Sequence, residues 1–471
     1  MGEPGVRGRL FGTDGVRGVA GQDLTARLAM DLSVAAAAVL SHDASSHGAS
    51  SHGARPGGAS TGGARPGHAV AVVGRDPRAS GEFLEAAVVA GLASAGLDVL
   101  RLGVLPTPGV AYLTGALNAD FGVVISASHN PARDNGIKFF GRGGVKLPDA
   151  VEDEIEAQLG QASHGTGFGR VSDASATHEL YLEHLLSTLP GEPGQALAGL
   201  RVVADCAHGA AYLVAPEALR RAGAQVITIG AEPDGENINA GCCSTHLDPL
   251  AEAVVAHGAD AGVAYDGDAD RCLAVDADGQ ILDGDQILAL LATELKDAGK
   301  LAGDAVVVTV MSNQGFHVAM HEAGIRVIET PVGDRYVSQA MRDGGYVLGG
   351  EQSGHIIAGE HAATGDGILT SLQLLAAVNH RGLPVAAAAK LMRKYPQVLL
   401  NVPGDASQLG PEVTAAVTRA EETLAGHGRV LVRPSGTEPT IRLMVQASDA
   451  VLAEQVIGRL AAEVRLALAG G

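Results

Sequence analysis

Three stretches of the chain repeat one pattern of apolar and polar positions. They span residues 69–103, 200–230 and 305–331. Each starts with a short apolar run, passes through a polar loop into a helical pattern, and ends in a β-branched run after Ala-Gly. The glycines of these dipeptides, Gly96, Gly223 and Gly324, stand where a helix needs a C-cap. The pattern therefore predicts strand–helix–strand units.

Units of this length imply parallel strands joined by right-handed crossovers, so each stretch predicts one α/β domain. From about Lys394 the pattern changes to strand, helix, strand, strand and helix, which predicts a small α+β domain with mixed or antiparallel pairing. We expect four domains around a central cleft, since ligands bind beyond the carboxyl ends of parallel strands. The predicted boundaries are 1–170, 171–277, 278–390 and 391–471.

One segment, residues 41–69, fits none of these patterns. It consists mainly of Gly, Ser, Ala and His and has almost no large apolar residue, so it cannot form a core. We expect a disordered surface insertion between a helix and a strand. Its histidines could bind a metal weakly, but a solvated loop is the simpler interpretation.

Composition and charge narrow the class of protein. The 471 residues exceed one ordinary core and suggest about three or four domains. A net charge of -20 argues against nonspecific binding to nucleic acid or to an anionic membrane. The four cysteines have no CxxC spacing, and the N-terminus has no apolar signal core. We expect a cytoplasmic protein, either a monomer or a homodimer.

The segment "SASHNP", Ser126 to Pro131, follows the apolar run "FGVV". A strand that ends on Ser-x-Ser-His before Asn-Pro has two interpretations. One is an ordinary polar turn. The other is a serine held at a strand end so that its oxygen can take part in a reaction.

The segment "YDGDADR" places Asp266, Asp268 and Asp270 two residues apart after the apolar run "AGVA". Three such carboxylates repel one another and favour a hard divalent cation such as Mg²⁺. An EF-hand is excluded because Arg271 and Ala277 stand where that loop needs Gly and Glu. An acidic surface turn is the alternative to a metal site.

Three further segments carry polar side chains that could bind an anion or a sugar. In "RPSGTEP", the backbone of Ser435, Gly436 and Thr437 could wrap an anion between Arg433 and Arg442, although a plain hairpin turn is possible. In "GEQSGH", Glu351 and Ser353 could face one way, and a polar turn is equally plausible. "FGTDGVRG" is interpreted as a Gly-rich loop whose Arg17 could contact an anion.

Four segments, in the order "SASHNP", "DGDADR", "GEQSGH" and "RPSGTEP", resemble the motifs of the α-D-phosphohexomutase superfamily, in its branch that acts on glucosamine phosphates. The resemblance covers nearly the whole chain except residues 41–69. The choice of sugar rests on "GEQSGH", "VGDRYV" (332–337) and "NINAGCCSTH" (237–246).

The resemblance implies a set of roles. Ser128 would be a phosphoserine whose oxygen, with Asp266, Asp268 and Asp270, holds one Mg²⁺. The reacting centre would be lined by Arg17, His129, Lys138 and Arg271. The sugar would contact Glu351, Ser353 and His355, and the non-reacting phosphate would contact Arg433, Ser435, Gly436, Thr437 and Arg442.

The implied reaction interconverts glucosamine 6-phosphate and glucosamine 1-phosphate through a sugar 1,6-bisphosphate, for UDP-N-acetylglucosamine and peptidoglycan precursor synthesis. A catalytic trace of bisphosphate would prime the enzyme, and Lys138 or His355 would be the general base. Alternatives are a mutase for mannose or glucose phosphates, a metal-dependent phosphatase, and a non-catalytic binding protein. One departure is Cys243, where the resemblance leads us to expect glycine; a positive φ there would strain the cysteine.

Overall fold

The structure is a computed structural model that describes residues 9–12, 14–41, 68–161, 167–404, 409–434 and 440–469. The predicted insertion at 41–69 lies outside the described residues, apart from Ser41, His68 and Ala69. The chain forms two compact units. One consists of residues 1–310 with 328–388, and the other of residues 311–327 with 389–471.

The first sheet of the larger unit has six strands in the order β1-β5-β4-β2-β3-β6. They are β1 (Val16–Val19), β2 (Val70–Arg75), β3 (Asp98–Val104), β4 (Phe121–Ile125), β5 (Asp134–Phe140) and β6 (Val171–Asp173). The sheet is mixed, because β2 runs parallel to β3 and β4, whereas β5 runs antiparallel to β4 and β1. All of β4 is buried, as expected for an apolar strand covered on both faces.

The helices of this region are α1 (Ala26–Leu40), α2 (Ser80–Ser94), α3 (Thr107–Ala116), α4 (Asp149–Ala157) and α5 (His178–Ser187). Helix α1 begins after Thr25, whose side chain accepts a hydrogen bond from the Leu28 backbone N–H. Leu32 of α1, Leu84 of α2 and Val123 of β4 share one apolar core. This packing holds the carboxyl end of β4 in place.

The second sheet has the order β11-β10-β9-β7-β8. Its strands are β7 (Arg201–Asp205), β8 (Gln225–Ile229), β9 (Ala261–Tyr265), β10 (Cys272–Asp276) and β11 (Ile281–Leu282), with helices α6 (Val214–Arg221) and α7 (Asp248–His257). Strand β7 runs parallel to β8 and β9, and β10 turns back antiparallel to β9. The segment 266–271 is therefore the turn between two buried central strands.

The third sheet has the order β13-β12-β14-β15. Its strands are β12 (Ala305–Thr309), β13 (Arg326–Thr330), β14 (Leu348–Gly350) and β15 (Ile356–Ala358). The helices between residues 284 and 389 are α8 (Gly284–Asp297), α9 (Gln314–Glu322), α10 (Asp334–Gly344), α11 (Gly367–His380) and α12 (Ala386–Ala389), and α9 belongs to the smaller unit. Helix α8 starts with a capping box in which Asp283 and Gln286 satisfy each other's backbone N–H groups.

The smaller unit contains an antiparallel sheet in the order β16-β18-β17. Its strands are β16 (Gln397–Pro403), β17 (Gly428–Pro434) and β18 (Thr440–Ala447), and its long helices are α13 (Pro411–Leu424) and α14 (Ala450–Ala469). Alternate residues of β18, such as Ile441 and Leu443, share a core with Ala416 of α13 and Ile457 of α14. One face of the sheet is thereby covered.

The predicted fold class is confirmed: three α/β regions with mixed or parallel pairing and a small α+β region. Gly96, Gly223 and Gly324 follow α2, α6 and α9 with φ of 95°, 109° and 67°, as the helix-end prediction requires. Of the described helices, none combines the length and the apolar character needed to cross a membrane.

Candidate active site

Ser128 lies three residues after the end of β4. Its φ is +52°, a left-handed conformation unusual for a residue other than glycine, and only 1% of it is exposed. The Ser128 Oγ donates to Asp266 Oδ2 at 2.6 Å, and His129 Nδ1 lies 3.2 Å from the same oxygen. The turn therefore directs a serine hydroxyl at one of the carboxylates singled out in the sequence.

Asp266, Asp268 and Asp270 are all buried in the turn between β9 and β10, and one carboxylate oxygen of each lies within 4.8 Å of the others. Burial and repulsion from Asp270 and Asp268 raise the pKa of Asp266 well above its usual value. The pKa of Asp268 is about 2, because Lys138 outweighs the effect of burial. Burial and repulsion from Asp268 likewise raise the pKa of Asp270.

The oxygens of this cluster fit a metal ion. Among the described residues, Asp268 Oδ1 and Asp270 Oδ1 are buried polar atoms without a hydrogen-bond partner. Buried carboxylate oxygens require a donor or a cation. An all-oxygen set beside a serine hydroxyl suits a hard divalent cation such as Mg²⁺. The acidic surface turn considered above is wrong, since all three carboxylates are buried.

Basic side chains from separate elements face the carboxylates. Lys138 of β5 places Nζ 2.8 Å from Asp268 Oδ2 and 2.6 Å from Asp14 Oδ2. Arg17 Nη2 lies 2.6 Å from the same Asp14 oxygen, and Arg271 follows the carboxylate turn directly. Although burial opposes its charge, Asp14 and Asp268 raise the pKa of Lys138, so this lysine is protonated at neutral pH.

The interpretation of residues 11–18 as a loop is wrong for Arg17, which lies inside β1. Val16 and Val19 begin and end this strand, and Arg17 pairs with Gly136 of β5. The β-branched residues of "VRGV" fit a pleated strand, and the glycine-rich composition hid this short pattern. The strand fixes Arg17 beside the carboxylates more firmly than a loop would.

Three members of the ion network were not predicted from the sequence. Lys146 Nζ binds Asp14 Oδ1 at 2.9 Å and also contacts Asp334 Oδ2. The same Asp334 oxygen lies 3.1 Å from His355 Nε2. Asp14 and Asp334 occur in the quoted segments "FGTDGVRG" and "VGDRYV", so an acidic residue close to an arginine in each segment was the available signal. Lys146 belongs to no segment singled out in the sequence.

The two site histidines differ in charge. Burial, helped by Arg271 and Arg17, lowers the pKa of His129 to about 4, so its ring is neutral at pH 7. In His355 burial acts in the same direction, but Asp334 outweighs it and raises the pKa above the usual value. His355 therefore carries more positive charge near neutral pH than a solvated histidine would.

The segment "GEQSGH" forms the turn between β14 and β15. Glu351 Oε1 accepts from the Gly333 N–H at 3.2 Å, and the Ser353 Oγ lies 3.5 Å from Glu351 Oε2. Gly354 has φ of +90°, and a Cβ there would meet the Cys272 carbonyl oxygen at 2.4 Å. The glycine lets this turn pack against β10, which brings Glu351 and Ser353 to one side.

The smaller unit contains the two predicted phosphate-binding arginines. Arg433 of β17 stands directly opposite Arg442 of β18, and Asn401 of β16 stands opposite Arg442 on its other side. These three residues line a cavity of about 480 Å³. Burial and repulsion from Arg442 lower the pKa of Arg433, as expected where two like charges share a face. Ser435, Gly436 and Thr437 lie outside the described residues.

The larger unit thus brings together most of the predicted site residues. They are Arg17, Ser128, His129, Lys138, Asp266, Asp268, Asp270, Arg271, Glu351, Ser353 and His355. Cys243 is buried with φ of +80°, the positive value at which the sequence analysis expects a cysteine to be strained. Its backbone N–H donates to Asp205 Oδ2 at 2.9 Å, which fixes the local turn.

Comparison with protein-family models gives four consecutive matches. They are phosphoglucomutase/phosphomannomutase alpha/beta/alpha domain I at residues 57–165, domain II at 179–279, domain III at 283–395, and the C-terminal domain at 385–463.

Curated relatives match over nearly the whole chain. A phosphoglucosamine mutase of Thermobifida fusca is 59% identical over 464 residues, which cover 97% of this chain and 98% of the relative. A phosphoglucosamine mutase of Streptomyces griseus is 57% identical and covers 98% of this chain and 100% of its own length.

Solved structures show the same fold. A phosphoglucomutase/phosphomannomutase family protein from Burkholderia thailandensis has a TM-score of 0.80 at 23% identity, covering 98% of this chain and 97% of its own. An Aspergillus fumigatus N-acetylphosphoglucosamine mutase, solved with GlcNAc-6P and magnesium, has a TM-score of 0.56 at 18% identity and covers 77% of this chain and 92% of its own.

Proposed function

Because the chain belongs to the phosphoglucosamine mutase family of the α-D-phosphohexomutases, we propose that Ser128 is the phosphoryl carrier of its reaction. The enzyme is a sugar-phosphate mutase that interconverts glucosamine 6-phosphate and glucosamine 1-phosphate. The observation that supports the role of Ser128 is its hydrogen bond to Asp266, within a buried cluster of three carboxylates. This is the arrangement that an enzyme-bound phosphate beside a cation requires.

The first step transfers the phosphoryl group of phosphorylated Ser128 to the free hydroxyl of the bound sugar phosphate. The bond between phosphorus and the Ser128 Oγ breaks, and a bond between phosphorus and the sugar oxygen forms. The sugar hydroxyl loses its proton to a base, and the Ser128 Oγ leaves with the bonding electrons. The product is a sugar 1,6-bisphosphate. Positioning and charge neutralisation supply most of the catalysis in this chemistry.

Charge must be neutralised as it shifts between the phosphoryl oxygens. A bound Mg²⁺, held by Asp266, Asp268, Asp270 and Ser128, would supply a Lewis acid next to the transferring group. Arg17, Lys138 and Arg271 supply fixed positive charge around it. Asp14 holds both Arg17 and Lys138 at 2.6 Å, so these cations are oriented before the substrate arrives.

His355 is a better candidate than Lys138 for the general base. Two carboxylates hold Lys138 in its charged form and raise its pKa from an already high value. The pKa of His355 is also raised, but it starts near neutral pH, and Asp334 can stabilise the imidazolium that forms. His129 is neutral beside Ser128 and suits hydrogen bonding to the phosphoserine.

The second step reverses the first at the other end of the sugar. The bisphosphate reorients, so that its second phosphate enters the reacting centre, and Ser128 accepts it. Arg433 and Arg442 would bind the phosphate that does not react. Ser435, Gly436 and Thr437 would complete the phosphate cradle with backbone N–H groups and hydroxyls. Arg433 and Arg442 stand opposite each other and repel. A dianion bound between them would neutralise both charges.

Sugar selection is assigned to the turn between β14 and β15. The Glu351 carboxylate attracts the ammonium group of glucosamine, and Ser353 offers a hydroxyl to the ring. A catalytic trace of sugar 1,6-bisphosphate would prime Ser128.

We further propose domain boundaries of 1–170, 171–277, 278–390 and 391–471. We also propose that the protein is a monomer or a homodimer.

The product would feed UDP-N-acetylglucosamine and peptidoglycan precursors in the cytoplasm. All four cysteines are buried and unpaired, as a reducing compartment favours.

Phosphorus NMR with Mg²⁺ and a trace of hexose 1,6-bisphosphate tests the proposal. Glucosamine 6-phosphate, mannose 6-phosphate and glucose 6-phosphate are supplied in parallel, with Ser128→Ala as the matched control. We expect rapid appearance of glucosamine 1-phosphate, slow reaction of the other sugars, and no turnover by the variant. Net release of inorganic phosphate would instead indicate a phosphatase, and full turnover by Ser128→Ala would exclude the phosphoserine scheme.

A further inference from the structure

Arg78 is a fully buried arginine that the reaction scheme does not use. It follows β2 in the segment "RDPR", and none of its surface is exposed. A buried guanidinium costs several kcal/mol unless its charge is paired and its N–H groups are bonded. Asp76 supplies the counter-charge, since Arg78 Nε donates to Asp76 Oδ2 at 2.9 Å.

The other four N–H groups of Arg78 all donate to carbonyl oxygens of the segment 128–134, which begins with Ser128. Nη2 donates to the carbonyl oxygens of Ser128 and Asn130, each at 2.9 Å. Nη1 donates to the carbonyl oxygens of Pro131 and Asp134. A guanidinium has five donors, and this one uses all five. Lysine, with three donors on a single nitrogen, cannot reproduce this arrangement.

Asn239 reaches two of the same carbonyl oxygens from another part of the chain. Its Nδ2 donates to Ser128 O at 2.9 Å and to Asn130 O at 3.1 Å. Asn239 lies between β8 and β9, in the segment "NINAGCCSTH" that was predicted from the sequence to take part in sugar selection. The residue is only 9% exposed, and its side chain bonds to the serine turn. Gly267 of the carboxylate turn fits against this contact, because a Cβ there would lie 2.5 Å from Ser128 O.

The turn needs such support because Ser128 is strained. A non-glycine residue with φ of +52° costs about 1–2 kcal/mol and persists only where its surroundings over-determine it. Ser126 adds a contact from the same region: its Oγ donates to Asp76 Oδ2 at 2.6 Å and accepts from the Ser128 N–H at 3.0 Å. Both backbone polar groups of Ser128 are therefore held.

We propose that Arg78 and Asn239 are positioning residues that clamp the Ser128–Pro131 backbone and aim the Ser128 oxygen at the carboxylate cluster. The proposal rests on the proposed role of Ser128 as phosphoryl carrier. Arg78 holds the turn from the side of the first sheet. Asn239 bonds the turn to the region of the second sheet, which supplies Asp266. A displacement of about 1 Å at a reacting atom can cost about 100-fold in rate, whereas substrate binding by distant residues is unaffected.

Steady-state kinetics of Arg78→Lys and Asn239→Ala test the clamp. Arg101→Lys and Asn379→Ala are the matched controls: Arg101 pairs with Glu85, and Asn379 bonds to the carbonyl oxygens of Ala196 and Ala198, so neither contacts the turn. We expect kcat to fall about 100-fold for Arg78→Lys and about 10-fold for Asn239→Ala, with KM within about twofold of wild type. The phosphorus resonance of phosphorylated Ser128 should shift in both variants and in neither control.

Wild type and Ser128→Ala in the same assay separate the two proposals. If wild type does not turn over, or if Ser128→Ala does, the proposed function fails. If both behave as expected but Asn239→Ala and a folded Arg78→Lys keep kcat within twofold and an unshifted resonance, the clamp is overturned. A raised KM with unchanged kcat would also overturn it. Asn239→Ala decides the question alone if Arg78→Lys does not fold.

Discussion

The charge of each buried side chain in the site is set by its immediate neighbours. Asp268 is ionised because Lys138 lies 2.8 Å away. Among the described residues no lysine or arginine forms such an ion pair with Asp266, and its pKa is raised. Closely spaced carboxylates with opposite pKa shifts are typical of functional sites. A divalent cation would ionise the whole set.

Glu351 is expected to discriminate the amino sugar from its neutral analogue. Glu351→Gln keeps the size of the side chain and one acceptor oxygen but removes the charge that attracts an ammonium group. We expect KM for glucosamine 6-phosphate to rise about tenfold, which corresponds to about 1.4 kcal/mol, and KM for glucose 6-phosphate to change little. Parallel kinetics with the two sugars measure this. An equal rise in KM for both sugars would show that Glu351 does not recognise the amino group.

Asp366, outside the reacting centre, gives a pH dependence with a definite sign. Burial raises its pKa from 3.8 to about 6, while the Leu369 N–H and the Tyr181 hydroxyl partly oppose the shift. The folded state keeps a proton that the unfolded state loses. The proton on Asp366 stabilises the folded state by about 3 kcal/mol. This stabilisation is complete below about pH 4 and is lost as pH rises through 6.

Asp366→Asn should remove this part of the pH dependence. The test is chemical unfolding of wild type and variant between pH 4 and 7, with the exposed Asp278→Asn as the control. We expect the stability difference between Asp366→Asn and wild type to grow in favour of the variant as pH rises. Parallel pH profiles for the two proteins would show that Asp366 ionises normally.

At the scale of elements, helix and strand ends hold the functional groups. Ser128 follows β4, the carboxylates link β9 to β10, and Glu351 follows β14. The apolar runs and the Ala-Gly dipeptides predicted these strands and helices well, because β-branched runs and glycine caps are local signals. Strand β1 was missed because its four residues lie in a glycine-rich context.

Helix α13 ends at an alanine in a backbone conformation that glycine adopts more easily. Ala425 is the C-cap, with φ of 48° and ψ of 38°, a left-handed conformation that favours glycine. We expect Ala425→Gly to stabilise the smaller unit by about 1 kcal/mol, and Ala415→Gly, at an exposed position inside the same helix, to destabilise it by about 1 kcal/mol. Thermal unfolding of the full chain measures both. Destabilisation by both substitutions would contradict the C-cap assignment.

At the scale of the whole molecule, three sequence motifs contain residues that the larger unit brings together, because each motif carries its own chemistry. Asp14, Lys146 and Asp334 could not be predicted in the same way. Their roles depend on which strands and turns meet, and residues 14, 146 and 334 are far apart in sequence. Arg78 was missed for the same reason, since the carbonyl oxygens that it bonds belong to a turn about fifty residues later.

Metal binding should stabilise the larger unit, since Mg²⁺ would bind the folded carboxylate cluster and not the unfolded chain. Free Mg²⁺ at about 100 times its dissociation constant should add about 2.7 kcal/mol to the stability. Asp270→Asn should lose most of this gain, whereas Glu252→Gln, an exposed change on α7, should keep it. Denaturant unfolding with and without Mg²⁺ provides the comparison. An equal gain in Asp270→Asn would place the metal elsewhere.

The most direct test of the account is to follow the phosphate of Ser128 through a single turnover. The enzyme is labelled with radioactive phosphate from a hexose 1,6-bisphosphate, the labelled residue is located by mass spectrometry, and excess glucosamine 6-phosphate is then added with Mg²⁺. The account predicts label on Ser128 and its transfer to the sugar in one turnover, with no inorganic phosphate. Label on another residue, or its release as inorganic phosphate, would contradict the central claim.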